Sequence, residues 1–228
     1  NSKYIFYNSP EEKELAVKVY GTKVGRKVVE GPVTGEGVEL PFEYAALESK
    51  DANVSYEIEN YILYLGRKEK GKNVHILCDW FVKYVAQSKS SLKLVFVGGG
   101  DVSILPDHPQ IIDYGFVSEK DKYYLIQKAL SVINLSMNES FSLVIMESWL
   151  MSRPVVVHAH CAVTRGHAIR SNGGLYVADE FEFITSLQLL EQKKEIADKL
   201  GQSGCQYVQG NFNYDSVLEK YLGELKVF

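Results

Sequence analysis

Ser131-Val-Ile-Asn-Leu-Ser-Met-Asn-Glu-Ser-Phe-Ser-Leu-Val-Ile-Met-Glu147 passes from an apolar run, through a short polar loop, into a second apolar run. Ser131 to Ser136 reads as a buried strand and Leu143 to Met151 as a helix, with Met137 to Ser142 between them. Strand, loop and helix are the parts from which α/β proteins build phosphate sites. A helix N-terminus offers backbone N–H groups that it cannot satisfy itself, at the positive end of the helix dipole. Glu139 lies in that loop and Glu147 in the helix, eight positions further on. An ionised carboxylate only accepts hydrogen bonds, so two of them on such a hinge suit a polyol, which supplies donors.

The same alternation runs outward in both directions. Tyr61-Ile-Leu-Tyr-Leu65 is an apolar strand ended by Gly66-Arg-Lys-Glu-Lys-Gly71. Val74, Leu77, Cys78, Phe81, Val82 and Val85 then recur at helical spacing over 73–87. Leu92 to Val97 is a strand closed by Gly98-Gly-Gly-Asp101, and Ile111 to Val117 is a strand with a glycine inside it. Ser118-Glu-Lys-Asp121 reads as the cap of a helix ending near Leu130. Arg153 to Val157 and Gly174 to Val177 supply two more strands, and helices are expected over 180–190, 192–209 and 214–226. Uniformly apolar strands separated by helices predict an α/β fold, a Rossmann-like parallel sheet with helices on both faces. Ligands on such sheets bind at the carboxyl ends of the strands, where the loops at Gly66, Gly98, Val117, Ser136 and His158 fall.

The first segment is less regular. Tyr4-Ile-Phe-Tyr7 is a strand candidate, and Ser9-Pro-Glu-Glu12 starts a helix that should stop at Gly21. Lys27 to Gly31 reads as another strand, Glu36 to Pro41 as a turn-rich link, and the charged stretch 46–56 as surface or linker. This places residues 1–50 at the end of a preceding domain and its linker, with one Rossmann-like domain over 51–228.

Bulk composition bounds the function. The chain has 228 residues, 46% of them hydrophobic, which is enough for a core and argues against disorder. A net charge of -4 without any basic block argues against a nucleic-acid partner. Cys78, Cys161 and Cys205 are odd in number and far apart, as in a reduced cytoplasmic protein rather than a disulfide framework. No apolar run approaches the roughly 20 residues of a membrane helix. A peripheral membrane association of a full-length protein is left open. The start, Asn-Ser-Lys, carries no initiator Met, and the chain is expected to be a fragment.

In this order the loops resemble the donor-binding half of glycosyltransferase family 4, retaining enzymes of the GT-B fold. The resemblance rests on Gly66-Arg67 with Lys70-Gly71, Phe96-Val-Gly-Gly-Gly100 and Tyr114-Gly-Phe-Val117, then on Ser136 and Glu139 to Glu147. Arg153-Pro-Val-Val156, Gly174 to Val177 and Asn211-Phe-Asn-Tyr214 complete it. Gly35-Glu-Gly-Val-Glu39 sits near the family's crossover turn between its two domains. The resemblance implies an enzyme that moves a sugar from a nucleoside diphosphate sugar to a hydroxyl acceptor, without a metal or other cofactor. It also implies that the acceptor (a sugar, a lipid or another hydroxyl compound) binds in an N-terminal domain missing here, so that this half alone transfers little.

Residue roles follow from the same resemblance. Arg67 and Lys70 would bind the diphosphate as the leaving group gains charge. The loop is shorter than usual, so Lys68 or Lys72 is an alternative to Lys70, and a solvated charge run is the plain alternative for all of them. Glu147 would accept from the ribose and Glu139 from the transferred sugar, against an exposed helix position for the first and a capping role for the second. Phe141, Ser142 and Leu143 would offer backbone N–H groups, with Ser142 where the family has Gly. Gly98 and Gly99 suit a tight turn more than direct contact, and Val117 with Phe116 would border the base. His158-Ala-His-Cys-Ala-Val-Thr-Arg-Gly-His167 departs most from the family and is expected to be a donor-facing loop, with Arg165, His167 or Arg170 near the phosphates. Its histidines and cysteine fit no common zinc spacing. A dinucleotide-binding oxidoreductase lacks its third glycine here, Ser103 standing near that place. A non-catalytic interaction module remains the other alternative.

Overall fold

The computed structural model describes residues 5–24, 26–39 and 58–226. The boundary expected near residue 50, the stretch 46–56, and Tyr4 lie outside them. Six strands form one parallel sheet: β1 (Tyr61–Leu65), β2 (Lys93–Val97), β3 (Ile111–Asp113), β4 (Ser131–Asn134), β5 (Val155–His158) and β6 (Gly174–Val177). Their spatial order is β3-β2-β1-β4-β5-β6, the doubly wound order of a Rossmann fold. The strand order reverses between β1 and β4, so the loops after these two strands flank the crevice where such sheets bind ligands.

Burial on both faces explains why the central strands are mainly apolar. From β1, Tyr61, Leu63 and Leu65 join one core with Phe141, Ile145, Trp149, Val208, Phe212 and Val217. Ile62 and Tyr64 join the other, with Leu77, Phe81, Phe183, Leu187 and Leu200. The covering helices are α3 (Val74–Ser88), α4 (Glu119–Lys128), α5 (Leu143–Leu150), α6 (Ala162–Ser171), α7 (Glu180–Gln192), α8 (Lys194–Asn211) and α9 (Tyr214–Lys226). No helix among the described residues is long and apolar enough to cross a membrane.

Several expectations need correction. α1 (Pro10–Val24) runs through Gly21 and does not stop there. Residues 27–29 are not in a strand; they lie in the short helix α2 (Arg26–Val29). Of the first strand candidate, only Tyr7 pairs, in an isolated parallel bridge with Val33, and its hydroxyl donates to the Val28 carbonyl at 3.0 Å. β3 stops at Asp113, because Gly115 turns the chain into left-handed space at φ 62°. The largest revision is α6, which occupies most of the segment expected to be a loop at His158–His167. Its N-cap is Cys161, which caps nothing with its side chain, and Gly166 lies in its interior, so the usual helix signals are missing. Gly166 faces the Glu11 carboxylate of α1, which would have to shift to admit a Cβ there.

The first segment packs on the sheet domain. Glu11 pairs with Arg170 of α6, Nη2 to Oε2 being 3.2 Å. Val38 N–H donates to the Phe212 carbonyl at 2.8 Å. The caps read from the sequence are present: Ser9 Oγ accepts from Glu12 N at 3.1 Å, and Ser118 Oγ accepts from Asp121 N at 3.1 Å.

Candidate functional site

At the β1/β4 reversal three clefts follow one another along the carboxyl edge of the sheet. The central one, about 280 Å³, is lined by Tyr64, Gly66, Lys72, Asn134, Glu139 and the start of α5 from Ser140 to Val144, with Glu36 at its edge. A second, about 230 Å³, shares Leu65, Gly66 and Val144 with it and is bounded by Gly98, Phe116, Val117, Lys122 and Glu147. A third, about 690 Å³, shares Lys72, Glu139 and Ser140 and opens toward Glu11, Glu12, His160 and Cys161.

The loop after β4 is built by one asparagine. Asn134, the last residue of β4, donates through Nδ2 to Ser142 Oγ at 3.0 Å and to Glu139 Oε1 at 3.4 Å. Its Oδ1 accepts from Ser136 N at 3.0 Å. Asn134 thus ties both ends of the loop to the strand from which it springs, and the sequence reading missed it. An Asn inside an apolar strand run was the available signal. Ser142 is the N-cap of α5 and sits at φ 72°, in the left-handed region where the resemblance predicts glycine. The Asn134 bond compensates for a backbone that costs an L-residue roughly 1–2 kcal/mol. The Ser142 side chain does not cap the helix, so the first-turn N–H groups of α5 face the central cleft without a side-chain cap.

The loops after β1 and β2 brace one another. Gly98 has φ 120°, and a Cβ there would lie 2.3 Å from the Gly66 carbonyl oxygen, so only glycine fits. Phe116, 86% exposed, rests its ring over Gly99, and would have to swing aside for a side chain there. Both glycines are therefore turn and approach positions. Lys68, 1% exposed, donates from Nζ to the Gly98 carbonyl and pairs with Asp113 at 3.0 Å. That ammonium joins the ends of β1, β2 and β3 and is committed to structure.

Both glutamates are ion-paired. Lys72 Nζ lies 2.9 Å from Glu139 Oε1, and Lys122 Nζ lies 2.8 Å from Glu147 Oε1. Each pair is partly buried, at 29% and 15% side-chain exposure for the first and 19% for both members of the second. Glu147 is fixed from behind: Trp149, fully buried, donates through Nε1 to the Gly173 carbonyl at 2.7 Å and locks α5. Of the cations expected at the site, Arg67 stands at the rim, 75% exposed and 3.7 Å from Glu69. Lys70 is exposed in the short 3-10 turn Lys70–Lys72, and it is Lys72 from that turn that lines the clefts.

The α6 residues fall elsewhere. Arg165 is exposed on α6, apart from the residues that line these three clefts. His167, 1% exposed, is packed edge-on against Phe141 and Phe212, with Nδ1 3.0 Å from the Tyr207 hydroxyl. Burial, and then the Arg170 guanidinium, push its pKa down to about 4. Burial pushes the Glu11 carboxyl up, and Arg170 overrides it and holds that carboxyl below its usual range. Neither His167 nor Arg170 is placed to meet a phosphate. Among the described residues no group of three or more His, Cys, Asp or Glu is arranged to hold a metal ion. Cys78 and Cys161 are buried free thiols, and burial pushes Cys78 up to about 12.

The family model for glycosyl transferases group 1 matches residues 46–206. No curated protein sequence is significantly similar to the chain. Among solved structures, sucrose-phosphate synthase from Thermosynechococcus elongatus superposes with a TM-score of 0.75 at 22% identity, over 99% of this chain and 58% of that one. HepE from Anabaena, in complex with UDP and glucose, does so with a TM-score of 0.77 at 14% identity, over 100% and 64%. The α,α-trehalose 6-phosphate synthase of Burkholderia multivorans has a TM-score of 0.77 at 11% identity, over 97% and 59%. At these identities the likeness is one of fold. The chain spans less than two thirds of the length of each.

Proposed function

The chain belongs to the glycosyl transferases group 1 family, and from that premise we propose that it is the nucleotide-sugar-binding half of a retaining, metal-independent enzyme of family 4. The observation that carries this reading is the run of clefts at the strand reversal. A lysine–glutamate pair flanks each side of an uncapped helix start. The cleft at Phe116, Val117 and Glu147 takes the nucleoside, with its base toward the exposed aromatic ring and its ribose hydroxyls toward the carboxylate. The central cleft takes the diphosphate, against the first-turn N–H groups of α5 and Lys72. Glu139 faces the sugar, and the acceptor, held by an N-terminal domain outside this chain, approaches it over the third cleft.

In this reading the bond from the anomeric carbon to the diphosphate oxygen breaks, and negative charge grows on the leaving phosphate. Lys72, the α5 amides and Arg67, closing from the rim, stabilise that charge. Fixed dipoles and cations of this kind contribute several kcal/mol to a transition state. The acceptor hydroxyl attacks from the face the diphosphate leaves, so the α configuration persists and the proton passes to the departing phosphate. Both glutamates sit against ammonium groups, which hold their carboxylates in place to accept hydrogen bonds from hydroxyls. The complexes of HepE with UDP and with UDP-glucose support a nucleoside diphosphate sugar as donor.

Calorimetry with UDP, GDP and ADP tests the reading. One of the three should bind, and Glu147→Ala should weaken that nucleotide by roughly 10- to 100-fold, the loss of hydrogen bonds to a charged acceptor. A folded wild-type protein that binds none of them overturns it. Nucleotide binding that Glu147→Ala leaves unchanged removes the ribose role.

A further inference from the structure

We propose that Lys122 is a positioning residue for the ribose subsite, holding Glu147 in the one orientation that lets the cleft tell ribose from deoxyribose. The inference rests on the donor reading above and goes beyond it by assigning the clamp that makes Glu147 selective.

The geometry comes from two helices on adjacent sides of the cleft. Lys122 on α4 places Nζ 2.8 Å from Glu147 Oε1 on α5, and 2.8 Å from Glu119 Oε1 one turn earlier on its own helix. Tyr123, next in sequence and 4% exposed, also hydrogen-bonds Glu147. Its ring lies 4.6 Å from the Lys122 ammonium. Glu147 is thereby gripped from α4 by a cation and a phenol, while its own backbone is fixed by the buried Ile145, Met146 and Trp149. What remains adjustable is the rotamer of the carboxylate, and Lys122 selects it. An ionised carboxylate offers about four lone-pair sites, so one oxygen bound to Lys122 leaves the other to take hydroxyl protons.

Lys122 is not an incidental surface charge. Its side chain is 19% exposed, and Lys122 and Glu147 both line the cleft assigned to the nucleoside, together with Phe116, Val117 and Val144. Glu119, by contrast, is 69% exposed and acts as an outer anchor for the lysine. Burial works against the charged lysine, but the two carboxylates more than offset it and raise its pKa. With the cation removed, Glu147 loses the partner that orders it, and it turns toward water. A 2′-deoxy nucleotide lacks one of the hydroxyls that this carboxylate would accept from, so the clamp acts on the ribose and leaves base and phosphate contacts untouched.

The test uses UDP, GDP and ADP on the complete chain, and then the tightest of them beside its 2′-deoxy counterpart. The wild type should prefer the ribonucleotide by about 10-fold, the worth of one hydrogen bond to a charged group. In Lys122→Met that preference should fall to within about 2-fold of unity. It should do so through weaker ribonucleotide binding, with the deoxynucleotide unchanged; Lys122→Arg should restore most of it. Lys122→Gln carries the same expectation and serves if the Met variant does not fold. Wild-type selectivity that persists in Lys122→Met or Lys122→Gln overturns the proposal and leaves the donor reading standing. A wild type that binds no nucleotide overturns both.

Discussion

Lowering the pH from 7.5 to 5 should destabilise this protein through the buried ring of His167. His167 is enclosed by Phe141, Phe212 and Tyr207, and its Nε2 is buried without a hydrogen-bond partner among the described residues. A proton added there meets no acceptor and lies near the Arg170 guanidinium, 3.5 Å from Nδ1. The folded-state pKa is therefore depressed to about 4, against 6.5 for an unperturbed histidine. Above pH 6.5 the ring is neutral in both states and nothing is lost. Between about 6.5 and 4 the unfolded chain takes up a proton that the folded chain refuses, so stability falls with pH; below about 4 the penalty levels off. From pH 7.5 to 5 about 1.5 units of that window are crossed, at 1.4 kcal/mol each, or roughly 2 kcal/mol. Urea unfolding of the wild type and of His167→Gln at both pH values isolates the effect. The wild type should lose about 2 kcal/mol more than the variant between the two conditions. Equal losses would refute the argument that this histidine is held neutral by its surroundings.

Other outcomes follow from single contacts. In Gly204→Ala the new methyl would stand 2.1 Å from Trp149 Cδ1, so overpacking of about 1–3 kcal/mol should lower the melting temperature by several degrees in calorimetry. An unchanged melting temperature would mean that Gly204 of α8 does not pack tightly against Trp149 of α5. Asn134→Ala removes the bonds to Ser142 and Ser136 and should cost about 1–3 kcal/mol in denaturant titration, with weaker nucleotide binding because the start of α5 loosens. Glu139→Gln should weaken a nucleoside diphosphate sugar several-fold while leaving the free nucleoside diphosphate within about 2-fold. Equal weakening of both ligands would move Glu139 out of the sugar subsite.

The sheet was legible because its strands carry their signal locally. β1, β2, β4 and β5 are short, mainly apolar runs ended by Gly or polar loops, and burial on both faces demands such runs. The loop between Glu139 and Ser142 was legible for the same reason, lying between an unmistakable strand and helix. Features that depend on distant partners were not. α6 has neither a polar N-cap nor a regular apolar stripe, and its place is set by packing against α1, α8 and the β5–β6 edge. Lys72 and Lys68 look alike in the run from Gly66 to Lys72. Only the fold separates a lysine buried on Asp113 from one facing Glu139. Nothing in the sequence singled out Lys122, since its partner Glu147 is 25 residues away. Residues 27–31 show the opposite error, a β-branched pair that suggested a strand but lies in a one-turn helix.

The central claim is that a nucleoside diphosphate sits across the β1/β4 reversal. Hydrogen exchange with UDP, GDP or ADP at saturating concentration locates it directly. The account predicts protection in segments 64–73, 115–123 and 136–147, with α3 and α7 unchanged. Protection confined to other segments, or none with any of the three nucleotides, would contradict it.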